Sequence, residues 1–387
     1  MQQKEPKLCK KCKTNNPNII IQKDPVCKEC FIGYVEHMFK MSLRLKCNIT
    51  QKNEKLLVCF SGGQNSTALV KMASDVVHST CAYNKSKMFI EVHVLYINES
   101  FIMKEFIQEY QPQDYTNFVT NECKLPFQIV DIQSIYPDPY VLLKQLQNLS
   151  ESGSSREDFV RLIKQHIIYD YAIKNGYQNV CFGQNGQRLA ADLFSQLSKG
   201  RGLSLQSATK YNYSFIYPLN QQKLQILHPL KELLNKDILY YLRLKSNMSF
   251  PQFILGQHLS NNVKNKPAHG NIDHLLEQFI DKLQEGFPST TFTVLSSAEK
   301  ITIKPLQQQN HCPLCLEIRD QVYNRLEVET LDNSNQQLIN YLRANTKYYN
   351  KICFTCNRML QSAQELEKFY NLEGFPPLII QLADLIQ

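Results

Sequence analysis

The residues in this sequence with the clearest chemical potential are its cysteines, of which there are 13. Eight of them form four C-x-x-C pairs, and the first two pairs are Cys9 with Cys12 and Cys27 with Cys30. The 14 residues between these pairs approach the usual spacing of two zinc knuckles, in which four thiolates complete a tetrahedral site. The spacing therefore predicts one Zn²⁺ ion in the N-terminal region, with redox-active or unpaired cysteines as the alternative.

A second group of cysteine pairs, Cys312 with Cys315 and Cys353 with Cys356, lies near the C-terminus. The 37 residues between these pairs leave room for a helix, and we predict a second zinc site here. An iron–sulfur cluster is the alternative for any group of four thiolates. His311, beside Cys312, is an alternative ligand.

The other cysteines are isolated: Cys47, Cys59, Cys81, Cys123 and Cys181. Two of them, Cys59 and Cys181, lie in apolar segments, where a small buried core residue is the favoured interpretation. The odd total, in a sequence that starts without a secretory signal, argues against a disulfide framework.

The segment Ser61-Gly62-Gly63-Gln64-Asn65-Ser66 has the composition of a phosphate-binding loop. It follows an apolar run at 56–60 and precedes a helix-forming stretch at 67–73. Two glycines there make a tight turn whose N–H groups converge on an anion, and a helix N-terminus adds about half a positive charge. We predict that Ser61, Gly62, Gly63 and Ser66 bind a nucleotide phosphate, with an inert turn as the alternative. The lysine of the G-x-x-x-x-G-K-[ST] signature is absent.

The elements that must position these residues alternate between strands and helices. Predicted strands lie at 56–60, 88–97, 127–130 and 179–183, and predicted helices at 36–44, 67–73, 101–110, 156–173 and 187–197, with another from about Leu230. This alternation predicts an α/β fold with a doubly wound parallel sheet. We divide the chain into an N-terminal zinc-binding module with a basic helix (1–50), the α/β domain (51–245), a variable segment rich in Asn, Gln and Ser (246–300) and a C-terminal zinc-binding region (301–387).

Composition sets broad limits on the class of protein. The formal net charge is +8, which permits a polyanionic partner such as nucleic acid without requiring one. Hydrophobic residues make up 43% of the chain, enough for a real core. The first residues are polar and charged, and no run of about 18 apolar residues occurs, so we expect neither a secretory signal nor a membrane span. The expectation is a soluble, intracellular protein.

The order of the motifs is more specific than any one of them. After the glycine loop come Gly183-Gln184-Asn185 with Arg188-Leu189-Ala190, Lys199-Gly200-Arg201-Gly202, Leu227-His228-Pro229-Leu230-Lys231-Glu232 and Cys312-Pro313-Leu314-Cys315. Together with both cysteine groups, this order resembles the cytoplasmic tRNA 2-thiolation proteins of the PP-loop ATP-pyrophosphatase superfamily, in particular the family of their second subunit. The resemblance covers most of the chain except about 245–300, and it implies an adenine nucleotide alpha hydrolase-like fold.

The resemblance also implies a reaction class. PP-loop enzymes of this type activate the C2 carbonyl oxygen of a tRNA uridine by adenylation with ATP, and sulfur then displaces AMP. The family's target is the wobble uridine of cytosolic lysine, glutamine and glutamate tRNAs, which becomes 5-methoxycarbonylmethyl-2-thiouridine. The sulfur comes from a thiocarboxylated ubiquitin-related modifier protein. The resemblance therefore implies a cytoplasmic heterodimer with a catalytic PP-loop paralogue.

Three positions depart from the pattern of the catalytic relatives. Asn65 stands where they have the aspartate of S-G-G-x-D-S, which weakens the expectation of ATP and Mg²⁺ binding. The stretch Ser152-Gly153-Ser154-Ser155-Arg156 lacks their C-x-x-C, and serine supplies no thiolate near neutral pH. The stretch Gly183-Gln184-Asn185-Gly186-Gln187-Arg188 lacks the acidic pair of their G-H-N-x-x-D-D pattern. We therefore predict that this chain is a non-catalytic member of a tRNA sulfurtransferase complex, with no catalytic residues of its own.

Positive residues supply candidate contacts for tRNA, with solvated surface charges as the alternative interpretation: Lys40, Arg44, Lys46, Lys199 and Arg201. Two other functions remain open. One is an active ATP-dependent tRNA sulfurtransferase that uses Cys123 or Cys181 as its nucleophile. The other is a zinc-organised RNA-binding module with a relic nucleotide domain.

Overall fold

A computed structural model describes residues 8–21, 24–78, 88–106, 115–149, 153–202, 205, 209–245, 272–301, 311–317, 341–360 and 366–385 of the chain. Cys81, Ser152 and the segment 246–271, which the sequence analysis discusses, lie outside these residues.

The strands build one central sheet and one small hairpin. They are β1 (Ile19–Ile21), β2 (Asp24–Val26), β3 (Glu54–Phe60), β4 (Ile90–Asn98), β5 (Phe127–Asp131), β6 (Asn179–Phe182), β7 (Asn212–Ile216) and β8 (Lys223–Leu227). The sheet has the order β5-β4-β3-β6-β8-β7, and its neighbouring strands are parallel except for β7 and β8. β1 and β2 pair separately. The predicted doubly wound parallel sheet is confirmed, with an antiparallel strand added at one edge.

β3 lies in the middle of the sheet because its side chains are apolar on both faces. Leu56 and Val58 pack into one hydrophobic cluster, whereas Leu57 packs into a second cluster on the opposite face. A parallel strand covered on both faces has a continuous apolar run instead of an alternating pattern. The other predicted strands agree with β4, β5 and β6 to within two residues at each end.

Helices cover the sheet. They are α1 (Lys28–Met41), α2 (Gln64–Val77), α3 (Ser100–Phe106), α4 (Pro139–Asn148), α5 (Gly153–Lys174), α6 (Gly186–Ser198), α7 (Asn235–Lys245), α8 (Ile272–Gly286), α9 (Thr290–Glu299), α10 (Phe354–Leu360), α11 (Leu366–Tyr370) and α12 (Pro377–Leu385). A π-helical turn, Ser42–Lys46, extends α1. Among the described residues, no helix has both the length and the apolar content needed to cross a lipid bilayer.

Two predicted helix starts are wrong. The helix predicted from about Leu230 begins at Asn235, because the preceding residues form turns in which Leu233 donates its N–H to Leu230 O at 2.9 Å. The helix predicted over 36–44 begins at Lys28, because Cys27 adopts the extended conformation of an N-cap. In both cases the local backbone conformation sets the boundary, and apolar periodicity does not report it.

Each face of the sheet has its own hydrophobic core. The cluster that contains Leu56 also holds residues of α1, α2 and α7 and the cysteines of the N-terminal region. The cluster that contains Leu57 holds residues of α4, α5 and α12 and the cysteines of the C-terminal region. The two cysteine groups thus belong to cores on opposite faces of one sheet.

A buried ion pair joins the N-terminal region to the α/β domain. Lys245 Nζ, at the end of α7, lies 2.9 Å from Glu36 Oε1 of α1 and 2.9 Å from Asp75 Oδ2 of α2. Tyr241 donates its hydroxyl to the same Asp75 oxygen at 3.1 Å. Both carboxylates are buried, so the lysine compensates two charges that have left water.

Replacing Lys245 by methionine is expected to lower the free energy of unfolding by about 3 kcal/mol, because two buried carboxylates lose the cation that they share, and Lys71, 3.8 Å from Asp75, compensates only in part. Chemical denaturation at pH 7 measures the change. Lys236→Met, at an exposed position of the same helix, is the matched control and is expected to change stability by about 0.5 kcal/mol at most. Equal effects of the two substitutions would contradict this assignment.

The same ion pair has a defined pH dependence. Burial lowers the pKa of Lys245, but its hydrogen bonds to Asp75 and Glu36 outweigh burial and raise the net pKa above its ordinary 10.5. A group whose pKa is raised in the folded state contributes its full stabilisation at a pH below its unfolded-state pKa. That stabilisation is lost as the pH rises through its folded-state pKa. The stability difference between Lys245→Met and the unmodified chain is therefore expected to shrink above pH 10.5.

Candidate metal centres and phosphate loop

Four cysteines of the N-terminal region, which we call the N-terminal quartet, converge on one point. The Sγ atoms of Cys9, Cys12, Cys27 and Cys30 all lie within 4.8 Å of one another, and those of Cys12 and Cys27 are 3.8 Å apart. The β1–β2 hairpin reverses the chain between the two pairs. Cys27 is the N-cap of α1, which places Cys30 in the first turn of that helix.

The C-terminal quartet consists of Cys312, Cys315, Cys353 and Cys356. Their Sγ atoms also lie within 4.8 Å of one another, and those of Cys315 and Cys353 are 3.7 Å apart. Cys353 immediately precedes α10, and Cys356 lies in its first turn. Three of the four cysteines are buried and Cys353 is half-buried, so the sulfurs are largely removed from water.

The two quartets are built in the same way. In each, the N–H of the third cysteine donates to Sγ of the first, at 3.3 Å in the N-terminal quartet and 3.4 Å in the C-terminal quartet. The residue that follows the first pair, Lys13 or Leu316, has φ of 59° or 61° and donates its N–H to the carbonyl of the first cysteine at 2.8 Å. A tight turn and a helix N-terminus therefore supply two sulfurs each.

The donor set of the N-terminal quartet suits a cation. Thr14 donates its hydroxyl to Cys12 Sγ at 3.1 Å, and this bond contributes most to lowering the pKa of Cys12 to about 6. The N-terminus of α1 adds partial positive charge beside the second pair. Burial raises the pKa of Cys30 to about 12, so all four sulfurs become thiolates only when a metal ion is bound. Four sulfur ligands without an open position fit a structural metal ion.

His166 supports the C-terminal quartet, a role that no motif in the sequence indicates. Its side chain on α5 is fully buried, and its Nε2 lies 2.8 Å from Leu314 O, inside the Cys312–Cys315 turn. Burial lowers the pKa of His166 to about 4, so the imidazole is neutral at pH 7. His311, the alternative ligand, instead places Nδ1 2.9 Å from Leu316 O and is not part of the quartet.

The glycine loop lies where the strand order reverses. From β3 the chain proceeds outward to β4 and β5, and it then crosses back to β6 on the other side of β3. Open α/β sheets bind ligands at the carboxyl ends of the strands near such a switch point. Gly183, just after β6, packs closely against the loop, because a Cβ on it would lie 2.7 Å from Ser66 Cα.

Inside the loop, Ser61, Ser66 and Gly63, which are predicted to bind phosphate, are hydrogen-bonded to one another. Ser61 donates its N–H to Ser66 Oγ at 3.2 Å, and the two serine hydroxyl oxygens are 3.2 Å apart. Ser66 Oγ also donates to Gly63 O at 3.0 Å. Gly62 has φ of +78°, in the left-handed region that favours glycine. Strand, loop and helix follow one another as expected, and phosphate binding by the loop stays a prediction.

The motif after β6 is used for packing. Asn185 caps α6 by accepting the N–H of Arg188 at 3.0 Å, and Gln184 donates to Asp192. The Arg188 guanidinium lies 3.4 Å from Asp192 and also binds Glu277 of α8. At the position where the resemblance expects a carboxylate, this chain therefore has a cation that binds carboxylates of α6 and α8.

A row of acidic side chains attaches helix α8 to α6. These side chains are spaced four residues apart, which places them on one face of α8. Asp281, in this row, accepts from Gln187 Nε2 at 2.7 Å and from Asn235 Nδ2 at 3.0 Å. Ile280, beside it, is buried against Leu189 of α6. The row and its partners are Asp273 with Lys199, Glu277 with Arg188, and Asp281 with Gln187.

Lys199 and Arg201 belong to this interior network, which argues against the prediction that they contact tRNA. Lys199 Nζ lies 3.0 Å from Asp158 and 2.6 Å from Asp273, and an Arg201 nitrogen lies 3.6 Å from Asp158. The lysine and arginine side chains are 8% and 4% exposed. Burial raises the pKa of Asp158, but three neighbouring cations outweigh burial and lower it to about 2. Both positive charges are thus compensated inside the fold.

The other predicted tRNA contacts lie at the end of α1 and in the Ser42–Lys46 turn. Arg44 and Lys46 are exposed, and Lys40 is half-buried. Lys46 Nζ lies 5.6 Å from the centre of the Tyr211 ring, a distance typical of a cation–π contact. Their contact with RNA stays a prediction.

The cysteines considered as alternative nucleophiles are both buried. Cys123 is 0% exposed and Cys181 is 1% exposed. Burial raises the pKa of Cys123 to about 12 and that of Cys181 well above its ordinary value. Ser154, in the stretch where the catalytic relatives carry C-x-x-C, accepts the N–H of Ile272 at 3.0 Å. The geometry offers neither a thiolate nor an exposed sulfur at these positions.

Reversing one charge of the Arg188–Glu277 pair is expected to weaken the attachment of α8 to α6. Arg188→Glu and Glu277→Arg should each lower the free energy of unfolding by about 1 kcal/mol, the upper range for a partly exposed pair. The double variant should recover much of the loss, because it restores opposite charges. Hydrogen exchange of 272–286, measured beside denaturation, reports on α8 directly. Additive losses in the double variant would show that the pair does not hold the helix.

Comparison with known proteins links the chain to one family. Residues 271–358 match the family model described as cytoplasmic tRNA 2-thiolation protein 2. The protein of that name from Dictyostelium discoideum is 26% identical over 316 residues, which cover 77% of this chain and 56% of the relative. Cytoplasmic tRNA 2-thiolation protein 2-A from Xenopus laevis is 25% identical over 388 residues, covering 80% of this chain and 72% of the relative. The chain thus spans only part of these relatives.

A solved structure shows the same fold. The U34-tRNA thiolase NcsA from Methanococcus maripaludis, determined with its [4Fe–4S] cluster, superposes with a TM-score of 0.55 at 16% identity. The superposition covers 80% of this chain and 95% of the thiolase. The matched family model and the curated relatives carry the same description, and this chain is similar to the cytoplasmic tRNA 2-thiolation protein 2 family.

Proposed function

We propose that this chain is a non-catalytic subunit of a tRNA 2-thiolation complex, in which it pairs with a catalytic PP-loop paralogue. The description of its family and relatives supports a role in 2-thiolation. The substrates in this proposal are the wobble uridines of cytosolic lysine, glutamine and glutamate tRNAs. A thiocarboxylated ubiquitin-related modifier supplies the sulfur to the paralogue, and the complex works in the cytoplasm.

The observation that carries the non-catalytic assignment is the state of the cysteines outside the quartets. Among the described residues these are Cys47, Cys59, Cys123 and Cys181. Burial is the largest effect on each, and it raises the pKa of every one of them. A thiol with a raised pKa is protonated near neutral pH and is a poor nucleophile or metal ligand. Outside the two quartets, the described cysteines thus provide no thiolate for sulfur transfer.

The nucleotide chemistry in this proposal also belongs to the paralogue. Adenylation requires Mg²⁺ near the phosphates, and carboxylates are the usual ligands of that ion. Asn65 offers a neutral amide in the loop, and Arg188 brings a positive charge to the motif after β6. Both replacements remove negative charge from the region where a divalent cation would sit. ATP with Mg²⁺ is therefore not required in this subunit for the proposed role.

We propose that each quartet holds one Zn²⁺ ion. Four sulfurs placed about 2.3 Å from one ion at the corners of a tetrahedron are about 3.8 Å apart. The Sγ atoms of Cys12 and Cys27 are 3.8 Å apart, and those of Cys315 and Cys353 are 3.7 Å apart. Both distances support a single ion in each quartet. A [4Fe–4S] cluster binds each thiolate to a different iron and spreads the sulfurs over a larger body. When bound, the ion would stabilise the fold and supply no catalytic position.

Elemental analysis of the purified chain is expected to give two zinc ions per chain, because each quartet has four sulfur ligands, and no iron, because the short Sγ–Sγ distances fit a single ion. Cys12→Ser and Cys315→Ser should each reduce the content to one ion. Cys59→Ala is the control, since it removes a thiol outside the quartets, and it should leave two ions bound. Iron with acid-labile sulfide, or a content of only one zinc ion per unmodified chain, would refute the proposed sites.

The proposed tRNA surface is the end of α1 with the following turn, where Lys40, Arg44 and Lys46 lie. Two exposed cations on one short turn suit contacts with the phosphate backbone, which position RNA without reading its sequence. Within the proposal, residues 1–50 and 301–387 are metal-stabilised modules around the α/β domain at 51–245, and 246–300 joins that domain to the C-terminal region. The proposal assigns no catalytic residue to any of these parts.

Reconstitution tests the proposed role. The chain alone, the paralogue alone and both together are incubated with ATP, Mg²⁺, tRNA and the thiocarboxylated modifier, and 2-thiouridine is measured by mass spectrometry of the digested tRNA. We expect no thiolation by the chain alone, and a gain of about tenfold or more when it is added to the paralogue. Cys123→Ala and Cys181→Ala should keep this gain, because neither sulfur takes part.

Other outcomes separate the alternatives. Thiolation by the chain alone, or loss of activity in both cysteine variants with intact zinc content, would show that the chain is itself a sulfurtransferase. Binding of tRNA without any effect on the paralogue would favour the zinc-organised RNA-binding module. Each result would replace the proposed function.

A further inference from the structure

Tyr115 lies directly against the glycine loop. A Cβ built on Gly62 would lie 2.5 Å from the Tyr115 ring carbon that carries the hydroxyl, and it would be closer still to the hydroxyl oxygen. The tip of the ring therefore contacts the backbone of Gly62. This residue comes from the segment before the Asn117–Glu122 turn, and neither the loop motif nor its spacing points to it.

The ring is held by other aromatic side chains at the carboxyl ends of two strands. Phe60, the last residue of β3, packs edge-on against Tyr115 with ring centres 5.1 Å apart. Tyr96, which pairs with Phe60 across β3 and β4, also packs edge-on against it at 5.1 Å. Edge-to-face contacts at this distance are favourable and directional. The Tyr115 ring thus has a defined position in the crevice beside the loop.

Three hydrogen-bonding groups of the loop are engaged at the same time. The N–H of Ser61 and the hydroxyls of Ser61 and Ser66 bond within the loop, and Ser66 is only 5% exposed. A phosphate at this position would have to exchange these internal bonds for bonds to its own oxygens. It would also share the space beside Gly62 with the Tyr115 ring. The two observations independently oppose binding of an anion to the closed loop.

We propose that Tyr115 closes the phosphate loop of this subunit, so that a nucleotide or free phosphate binds only after the ring moves away. The ring contacts the loop backbone, and its aromatic neighbours stabilise that position. In this proposal, nucleotide binding is opposed by a steric cause as well as by the missing carboxylate at Asn65. This inference does not depend on the thiolation role, because it concerns only what the loop can bind.

Calorimetric titration of the full-length, metal-loaded chain with Mg·ATP and, separately, with inorganic phosphate tests the proposal. Tyr115→Ala is expected to bind Mg·ATP about tenfold more tightly or better than the unmodified chain. Tyr115→Phe keeps the ring and is the matched control, with an affinity expected within about twofold of the unmodified chain. Adding Ser66→Ala to Tyr115→Ala should remove the gain, because binding in the loop needs that hydroxyl.

Several outcomes would overturn the proposal. Equal affinities of the unmodified chain and Tyr115→Ala, whether both are tight or both absent, would show that the ring is not what closes the loop. If Tyr115→Phe gains as much affinity for Mg·ATP as Tyr115→Ala, the aromatic ring is not what closes the loop. Tyr115→Leu keeps apolar contact with Phe60 and Tyr96, so it serves if the alanine variant loses stability or zinc, and it should show the same gain. A gain that survives Ser66→Ala would place the ligand outside the loop.

Binding of inorganic phosphate as well as Mg·ATP to the opened variant would assign the site to the phosphate group, whereas binding of Mg·ATP alone would assign it to the nucleotide.

Discussion

Mutual repulsion among closely spaced thiolates is the constraint on which the two ends of the chain depend. Four sulfurs lie within 4.8 Å of one another in each quartet, and as thiolates they stay together only around a cation. The N-terminal quartet belongs to the hydrophobic cluster on one face of the sheet, and the C-terminal quartet belongs to the cluster on the other face. A metal ion in each quartet would therefore secure the outer part of one core. This arrangement explains how short, polar segments at both ends pack against the same sheet.

The parts of the fold that could be predicted from the sequence are those encoded locally or by spacing. A continuous apolar run identifies β3, and the C-x-x-C spacing identifies both quartets. The rest depends on partners distant in the chain. Lys199 reads as an ordinary surface cation because nothing near it in the sequence shows that Asp158 and Asp273 lie beside it. The anchoring of Leu314 by His166 escapes prediction for the same reason, since 148 residues separate the two.

Near the strand-order reversal, charged side chains after β6 serve packing between helices. A pair of carboxylates in such a place repels itself and depends on a metal ion for balance. Arg188 instead brings a charge that Asp192 and Glu277 balance directly, and it ties α6 to α8. The arginine at this position thus helps to hold two helices together. The glycine loop keeps its backbone form because β3, α2 and the close approach of Gly183 still require it.

The left-handed residues of the two knuckles have a consequence for metal affinity. Lys13 and Leu316 adopt positive φ at the same place in their turns, although neither is glycine. This conformation costs a residue with a side chain about 1 kcal/mol or more. The turn brings two sulfurs of each quartet together, so the cost is subtracted from the free energy of metal binding. A metal ion bound in either quartet would therefore be held about fivefold more weakly than the same four sulfurs would hold it with glycine at that position.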